Sequence, residues 1–219
     1  MSVIYLDMDG VIADFFGGIE TLYQVNHWKS IKDKEKIFVD LRDTNFFNTL
    51  DTFENTSKMF SHVTDVAWLN EIRWGICSSP LRGDTFNSAY WKRVWLTEMG
   101  FLPDDLSDLV FTQNKHKYTK DPVDRRPNIL IDDKPENVER FNAAGGIGIR
   151  FQANQDDLEE YLYIELDKAI DVINATPKSS IWVRRANTKL FSISWPLARI
   201  MYKYLKVVRG AWSQIKLTS

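Results

Sequence analysis

The chain has 219 residues, of which 44% are hydrophobic and 26% charged, the composition of an ordinary soluble globular protein. This length suits one domain with an insertion or a tail. Its single cysteine, Cys77, excludes an intrachain disulfide and a thiolate metal cluster, which favours a reducing, cytoplasmic setting. No basic region followed by a long apolar stretch precedes the first apolar run, so we predict neither a signal peptide nor a transmembrane span.

The small net charge of −2 conceals a strong asymmetry along the chain. Residues 1–175 contain all 30 acidic residues and carry a net charge of −11, whereas residues 176–219 contain nine Lys and Arg residues and no acid. We therefore expect residues 176–219 to form a basic extension that differs in kind from the body.

The first apolar run, Val3–Leu6, leads directly into Asp7-Met8-Asp9-Gly10. Side chains two positions apart in an extended segment point the same way, so a strand here would project Asp7 and Asp9 into one site. Two carboxylates that close repel each other unless a cation compensates them, and a hard divalent ion such as Mg2+ suits oxygen ligands. The alternative is a solvated Asp-x-Asp-Gly turn at the end of a strand.

The region after this strand is predicted to be a small helical insertion. A helix is expected over 12–23, and helical stretches follow near 31–40 and 53–62, with no convincing strand among them. We take residues 16–69 as this insertion. Gly17 and Gly18 each weaken the first helix by about 1 kcal/mol, so a close backbone approach or a hinge is the expected reason for them.

Strands alternate with helices over the rest of the body. The helix over 85–99 is amphipathic, with Phe86, Tyr90, Val94 and Trp95 on one side. The other predicted elements are strands at 72–77, 109–111, 128–131 and 145–150, and helices from Pro135 and over 158–173. This alternation predicts an α/β fold with a doubly wound, parallel, Rossmann-like sheet, formed by residues 1–15 and 70–175.

Polar residues follow three of the predicted strands where each strand ends. In a parallel sheet these ends meet at one edge, where ligands bind. The polar residues at these ends are Asp7 and Asp9, then Ser78 and Ser79, then Asp132 and Asp133. The lysines Lys115 and Lys117 lie between the second and third pairs in the sequence.

These motifs, in this order, resemble those of the haloacid dehalogenase superfamily of phosphatases. The segments 7–15, 76–80 and 130–133, together with Gly17-Gly18, are more closely similar to the 5'(3')-deoxyribonucleotidases and their phage and bacterial relatives. The resemblance covers roughly residues 1–173 and is weak across the insertion.

The resemblance implies a role for each acid. Asp7 would be the nucleophile that forms an aspartyl-phosphate, and Asp9 would act as general acid and then as general base. Mg2+ would be bound by the Asp7 side chain, the Asp9 backbone carbonyl and Asp133, with Asp132 nearby through water or through indirect contacts.

The resemblance also implies a phosphate-binding set of two serines and one lysine. Ser78 and Ser79 would donate hydrogen bonds near the start of the following helix, although the relatives usually have threonine where Ser78 stands. Lys115 best fits the spacing of the relatives, and Lys117 is the alternative.

Substrate choice is expected to depend on the insertion, which in this superfamily forms a cap over the site. Phe46 and Phe47 resemble an aromatic pair that lines the base pocket of the deoxyribonucleotidases, and Phe15 matches another pocket position. Lys134 falls where the relatives carry a basic residue near the substrate. Aromatic side chains stack on any base, so base choice would be loose.

The extension contains an amphipathic helix predicted over 197–212. Its apolar side would pack on the body or on a second subunit in a homodimer. Alternatively, the basic segment would bind a membrane surface or nucleic acid.

The sequence thus predicts a Mg2+-dependent phosphatase that hydrolyses (deoxy)ribonucleoside monophosphates in the cytoplasm. A phosphatase of another small phosphomonoester, such as a sugar phosphate, is the nearest alternative. A catalytically silent body with a binding function in its basic tail is the alternative from a different class.

Overall fold

The computed structural model describes residues 1–177, so the predicted helix over 197–212 and the other predictions for the extension lie outside the described residues. No helix within residues 1–177 is long and apolar enough to cross a membrane. The strands are β1 (Val3–Leu6), β2 (Arg73–Ser78), β3 (Leu109–Phe111), β4 (Ile129–Asp132) and β5 (Ile147–Arg150). The α-helices are α1 (Phe15–Tyr23), α2 (Lys34–Asp40), α3 (Thr56–Leu69), α4 (Thr85–Glu98), α5 (Pro135–Ala143) and α6 (Tyr163–Ala175).

Short helical turns complete the chain between these elements. One-turn 3-10 helices cover Trp28–Ser30, Phe46–Asn48, Leu106–Asp108 and Lys115–Tyr118, and a π-helical segment, Leu158–Leu162, leads into α6.

The five strands form one parallel sheet in the order β3-β2-β1-β4-β5, which confirms the predicted doubly wound α/β class. Strand β1 lies at the centre, and its Leu6 pairs with Ile76 of β2 on one side and with Ile131 of β4 on the other. The strands are nearly continuous apolar runs because a parallel sheet is covered on both faces. This order places the ends of β2, β1 and β4 next to one another.

The two faces of the sheet carry two separate apolar clusters. On one face, Tyr5, Cys77 and Leu130 pack with Phe141 of α5. On the other face, the alternate residues of the same strands, such as Leu6, pack in a larger cluster. That cluster includes buried side chains of α3, α4 and α6. Neighbouring strand residues point to opposite faces, which explains the division.

Helix α1 begins at Phe15, three residues later than the predicted start at residue 12. The Met8 carbonyl instead accepts hydrogen bonds from the amides of residues 11–13, which curls this segment into a tight loop. Asp14 then caps the helix, since its carboxylate accepts from the Gly17 amide. A Cβ atom at Gly18 would overlap the Leu50 side chain, so the predicted close backbone approach at these glycines is present.

The predicted insertion over 16–69 contains α1, α2 and α3 and no strand in its described structure. However, α3 packs against β1 and β2, and its buried Met59 and Val63 join the larger apolar cluster. Helix α3 is therefore a layer of the core, because an amphipathic helix beside an apolar sheet buries its apolar stripe there. Residues 16–55 form the remainder of the predicted insertion.

Helix α4 buries only part of the side that was predicted to be apolar, since Trp95 is buried but Phe86 and Tyr90 are not. Phe86 is 93% exposed and Tyr90 is 59% exposed, whereas Ser88, Lys92, Trp95 and Leu96 are buried. The polar side is buried because the first half of α4 lies where hydrogen-bond partners are available. The Ser88 hydroxyl, for example, donates to the Asp84 carbonyl and accepts from the Leu81 amide.

The loop around Phe46 is bonded to α4 on both of its flanks. The Asn87 side chain donates to the Thr44 carbonyl over 2.9 Å, and the Trp95 indole donates to the Leu50 carbonyl over 2.7 Å. Each bond satisfies a loop carbonyl that would otherwise need water. The loop over 44–50 is therefore held against the helix that follows the second strand end.

Candidate active site

Three carboxylates converge where β1 and β4 end. Asp7 directly follows β1, Asp132 is the last residue of β4, and Asp133 follows it. One carboxylate oxygen from each of these residues lies within 4.8 Å of the others. The Asp7 amide also donates to the Ile131 carbonyl over 2.9 Å, which extends the pairing of the two strands to the site. The structure thus brings together the acids that the strand-end pattern pointed to.

Gly10 allows the first loop to fold back onto this cluster. Its φ of +80° lies in the left-handed region, which favours glycine. A Cβ atom at this position would also lie 2.6 Å from the Asp133 Oδ2 atom. Both the backbone conformation and the lack of space therefore require glycine after Asp9.

Lys115 lies between two of the acids and is 2% exposed. Its Nζ atom is 2.7 Å from the Asp7 Oδ2 atom and 2.6 Å from the Asp132 Oδ2 atom. The Asn137 amide donates to both oxygens of Asp132, over 3.0 and 3.1 Å. Lys117, the alternative phosphate-binding lysine, is exposed. Of the two candidate lysines, the structure brings Lys115 to the acids.

A second buried lysine, Lys92 of α4, was not among the predicted site residues. Its Nζ atom lies 2.7 Å from the Asp9 Oδ2 atom and 3.0 Å from both the Ser78 Oγ atom and the Ser79 carbonyl oxygen. The ammonium also lies 4.7 Å from the centre of the Phe47 ring. Lys92 therefore connects the end of β2 with the second acid of the first loop.

The two serines are held differently. Ser78 is fully buried at the end of β2, and its hydroxyl is among the groups that stabilise the Asp7 carboxylate. The Ser79 hydroxyl donates to the Thr112 carbonyl over 3.2 Å, so this hydroxyl is engaged with the end of β3. The Ser79 side chain therefore secures the neighbouring strand, and its backbone amide is the donor left for a ligand.

The surroundings shift the pKa values of Asp7 and Asp9 in opposite directions. Burial alone would raise the pKa of Asp7, but the Lys115 and Lys92 ammonium groups outweigh it and lower that pKa. Burial raises the pKa of Asp9, and the neighbouring Asp7 charge adds to the effect against the opposing influence of Lys92. The surroundings thus favour the ionised form of Asp7, whereas Asp9 retains a proton more readily.

The acid cluster carries more negative charge than the lysines balance. Burial, together with the Asp7 and Asp132 charges, raises the pKa of Asp133 to about 7. Burial and Asp7 also raise the pKa of Asp132, although Lys115 opposes them. A set of carboxylate oxygens with uncompensated charge fits a hard divalent cation such as Mg2+.

The predicted base-pocket residues form one aromatic group beside the acids. Phe15 packs edge-on against Phe46 and stacks with Phe47, at ring-centre distances of 5.7 and 6.1 Å. All three side chains are buried in this arrangement. Lys134 is exposed at the start of α5, and its amide donates to the Asp132 Oδ1 atom.

Two side chains of the site were missed by the sequence reasoning, Lys92 and Asn137. Residues 88, 92, 95 and 96 share one side of a helix, so the buried Trp95 and Leu96 would have indicated that Lys92 is buried. Asn137 lies in the first turn of α5, close after Asp132, and no local signal distinguishes it from a solvent-exposed helix residue.

The solved structures to which the chain is similar include a hydrolase and a domain described as members of the haloacid dehalogenase family. One is a haloacid dehalogenase family hydrolase from Deinococcus radiodurans R1, solved with bound phosphate and sodium. It is 12% identical to this chain with a TM-score of 0.40, and the match covers 67% of this chain and 78% of the hydrolase. The corresponding domain of the effector protein Lem4 from Legionella pneumophila is 15% identical with a TM-score of 0.41, over 78% of this chain and 97% of that one. At this level of similarity, neither structure informs on the chemistry of the site.

A comparison with curated protein sequences gives no significant match. By contrast, residues 1–173 match the model of the family described as "5' nucleotidase, deoxy (Pyrimidine), cytosolic type C protein". This match spans every described strand, all three strand ends of the site and most of α6. The chain therefore belongs to this 5'-nucleotidase family and is a phosphatase, a hydrolase of phosphoric monoesters.

Proposed function

We propose that the protein hydrolyses (deoxy)ribonucleoside monophosphates in a Mg2+-dependent reaction that passes through an aspartyl-phosphate on Asp7. The observation that carries this proposal is the pairing of the buried Asp7 carboxylate with Lys115, beside a second acid whose pKa is shifted the opposite way. One ionised and one more readily protonated carboxyl are what a nucleophile and a general acid require.

In the first step, an Asp7 oxygen would attack phosphorus, and the bond between phosphorus and the nucleoside oxygen would break. Asp9 would give its proton to the departing oxygen, so that a neutral alcohol leaves. In the second step, a water molecule would attack the phosphorus of the aspartyl-phosphate, and the bond between phosphorus and the Asp7 oxygen would break while Asp9 accepts a proton from that water. Inorganic phosphate would then leave, and Asp7 and Asp9 would return to their starting states.

The metal would be held by the Asp7 and Asp133 carboxylates, with Asp132 beside them and the Asp9 carbonyl as a further oxygen donor. When bound, Mg2+ supplies positive charge that offsets repulsion between the nucleophile and an anionic phosphate. The close approach of the three carboxylates and the raised pKa of Asp133 support this assignment.

Lys115 is the residue that we propose as the phosphate-binding lysine. An ammonium has three N–H groups, and within residues 1–177 two of them have carboxylate partners, Asp7 and Asp132. The third would be available to a phosphate oxygen. Ser78 through its hydroxyl and Ser79 through its backbone amide would supply further donors at the end of β2.

The nucleoside would lie toward the segment over 16–55, which we propose as the cap. The base would contact the aromatic group formed by Phe15, Phe46 and Phe47. Lys134 would lie near the substrate, just after the end of β4. A cytoplasmic location fits this substrate class and the single buried cysteine, Cys77.

The substrate is tested by a phosphate-release screen over the four deoxynucleoside monophosphates, the ribonucleoside monophosphates and common sugar phosphates. We expect nucleoside monophosphates to give the highest kcat/KM, because the aromatic group beside the acids suits a base. A clear preference for sugar phosphates would contradict the nucleotide assignment while leaving the phosphatase chemistry in place.

Replacement of the nucleophile is expected to abolish turnover without unfolding the protein. Asp7→Asn is nearly isosteric, but an amide does not attack phosphorus, so phosphate release should fall by at least about 10⁴-fold. Circular dichroism and a thermal melt would verify that the variant is folded. Undiminished turnover by the folded variant would exclude Asp7 as the nucleophile.

Removal of divalent metal is expected to stop the reaction reversibly. Dialysis against EDTA should leave the carboxylate cluster uncompensated and reduce phosphate release to background, and added Mg2+ should restore it. The measurement is the initial rate against free Mg2+ concentration. A rate that is the same with and without EDTA would remove the metal from the mechanism.

The two candidate lysines are separated by a matched pair of variants. Lys115→Met removes the cation between Asp7 and Asp132 and should lower kcat/KM by about 10²-fold or more, because a buried charge-assisted contact is lost. Lys117→Met, two residues away and exposed, should stay within about threefold of the wild type, as surface substitutions usually do. The reverse pattern would transfer the phosphate-binding role to Lys117.

A further inference from the structure

Lys92 is the most completely enclosed charged side chain beside the acids. It is 0% exposed, although a lysine is almost never fully buried unless it is paired. It lies on the inward side of α4, and its Nζ atom contacts Asp9, Ser78 and Ser79. Burial of an ammonium is costly, so its surroundings have to compensate it.

The hydrogen bonds of Lys92 account for all of its donors. An ammonium has three N–H groups, and there are three acceptors within 3.0 Å: the Asp9 Oδ2 atom, the Ser78 Oγ atom and the Ser79 carbonyl oxygen. No N–H group remains for a substrate. Lys92 therefore differs from Lys115, which has one donor beyond its two carboxylate partners within residues 1–177.

We propose that Lys92 is a positioning residue that fixes the Asp9 carboxyl for proton delivery to the leaving oxygen. This inference rests on the proposed function, in which Asp9 is the general acid. One Asp9 oxygen is bound to Lys92, whereas the other, Oδ1, is buried and has no hydrogen-bond partner among the described residues. Because no described residue competes for that second oxygen, the proposal assigns to it the proton that Asp9 exchanges with a ligand.

The same ammonium sets the direction of the Ser78 hydroxyl. Because Lys92 donates to the Ser78 Oγ atom, the hydroxyl proton has to point to another acceptor. The Ser78 hydroxyl is among the groups that lower the pKa of the Asp7 carboxyl. Lys92 thus contacts a hydroxyl close to Asp7 as well as the Asp9 carboxylate.

The Phe47 ring lies against the Lys92 ammonium. Its ring centre is 4.7 Å from the Lys92 Nζ atom, a distance at which the ring face attracts a cation. The Lys92 side chain is fully buried, and a charge contact is stronger in a low-dielectric interior than in water. Lys92 therefore contacts both Phe47 of the proposed cap and Asp9, the proposed general acid.

The test compares esters whose leaving groups differ in their need for a proton. An alkyl ester, such as a deoxynucleoside monophosphate or glycerol 2-phosphate, needs protonation of its leaving oxygen, whereas the nitrophenolate of p-nitrophenyl phosphate leaves without it. The readout is kcat/KM, because this constant covers only the steps up to departure of the leaving group. In Lys92→Met we expect about a 10²-fold loss for the alkyl esters, within the range for general acid catalysis, and less than about a fivefold loss for the aryl ester.

Two further variants serve as references. Asp9→Asn should show the same selective loss on alkyl esters, and larger, because it removes the acid itself. Lys115→Met should reduce kcat/KM for alkyl and aryl esters alike, since it acts on the nucleophile and the phosphate. A partly misfolded preparation lowers both rates by one factor, so the ratio between the esters remains valid. If Lys92→Met yields no folded protein, Lys92→Gln provides the same comparison.

Equal losses on alkyl and aryl esters in Lys92→Met would overturn the proposal and leave Lys92 with a general electrostatic role. An increase in KM for both esters at an unchanged ratio would overturn it as well, by making Lys92 a binding residue. If the wild type hydrolyses glycerol 2-phosphate but not nucleotides, the substrate assignment fails. The Lys92 comparison is then made between glycerol 2-phosphate and the aryl ester.

Discussion

The structure depends on the compensation of buried negative charge at one edge of the sheet. Asp7, Asp9, Asp132 and Asp133 gather there, and so many carboxylates would not stay ionised in a protein interior without cations. The two lysines divide the task, since Lys115 pairs with Asp7 and Asp132 while Lys92 pairs with Asp9. Asp133 has no lysine partner among the described residues, and its pKa is raised to about 7 by burial and by the neighbouring carboxylates.

The order of the strands explains why so few residues suffice to build this site. With β1 at the centre, the ends of β2 and β4 are its immediate neighbours, so each strand delivers its last side chains to the same place. A parallel sheet needs a crossover after every strand, and those crossovers supply the helices that carry Lys92 and Asn137. The fold thus provides an inner group of strand-end residues and an outer group of helix residues that bind them.

The strand ends were predictable because their signal is local. An apolar run that stops at an acid is visible in a few residues, and this was enough to find Asp7, Ser78 and Asp132 together with the parallel fold. The buried side of α4 was not predictable in this way, because Phe86 and Tyr90 look like core residues in the sequence. Only tertiary packing shows that they are exposed. Lys92 was missed for the same reason. Similarly, α3 reads as part of an insertion by position, but contact with the sheet makes it a core helix.

The bonds between α4 and the loop over 44–50 connect the aromatic side chains to the helix that carries Lys92. The Asn87 side chain donates a hydrogen bond to the Thr44 carbonyl, and the Trp95 indole donates one to the Leu50 carbonyl. Both ends of the loop are therefore bonded to α4. The loop that carries Phe46 and Phe47 is consequently joined at both ends to the helix that carries Lys92. A substitution that shifts α4 is therefore expected to move the aromatic pair together with the lysine that binds Asp9.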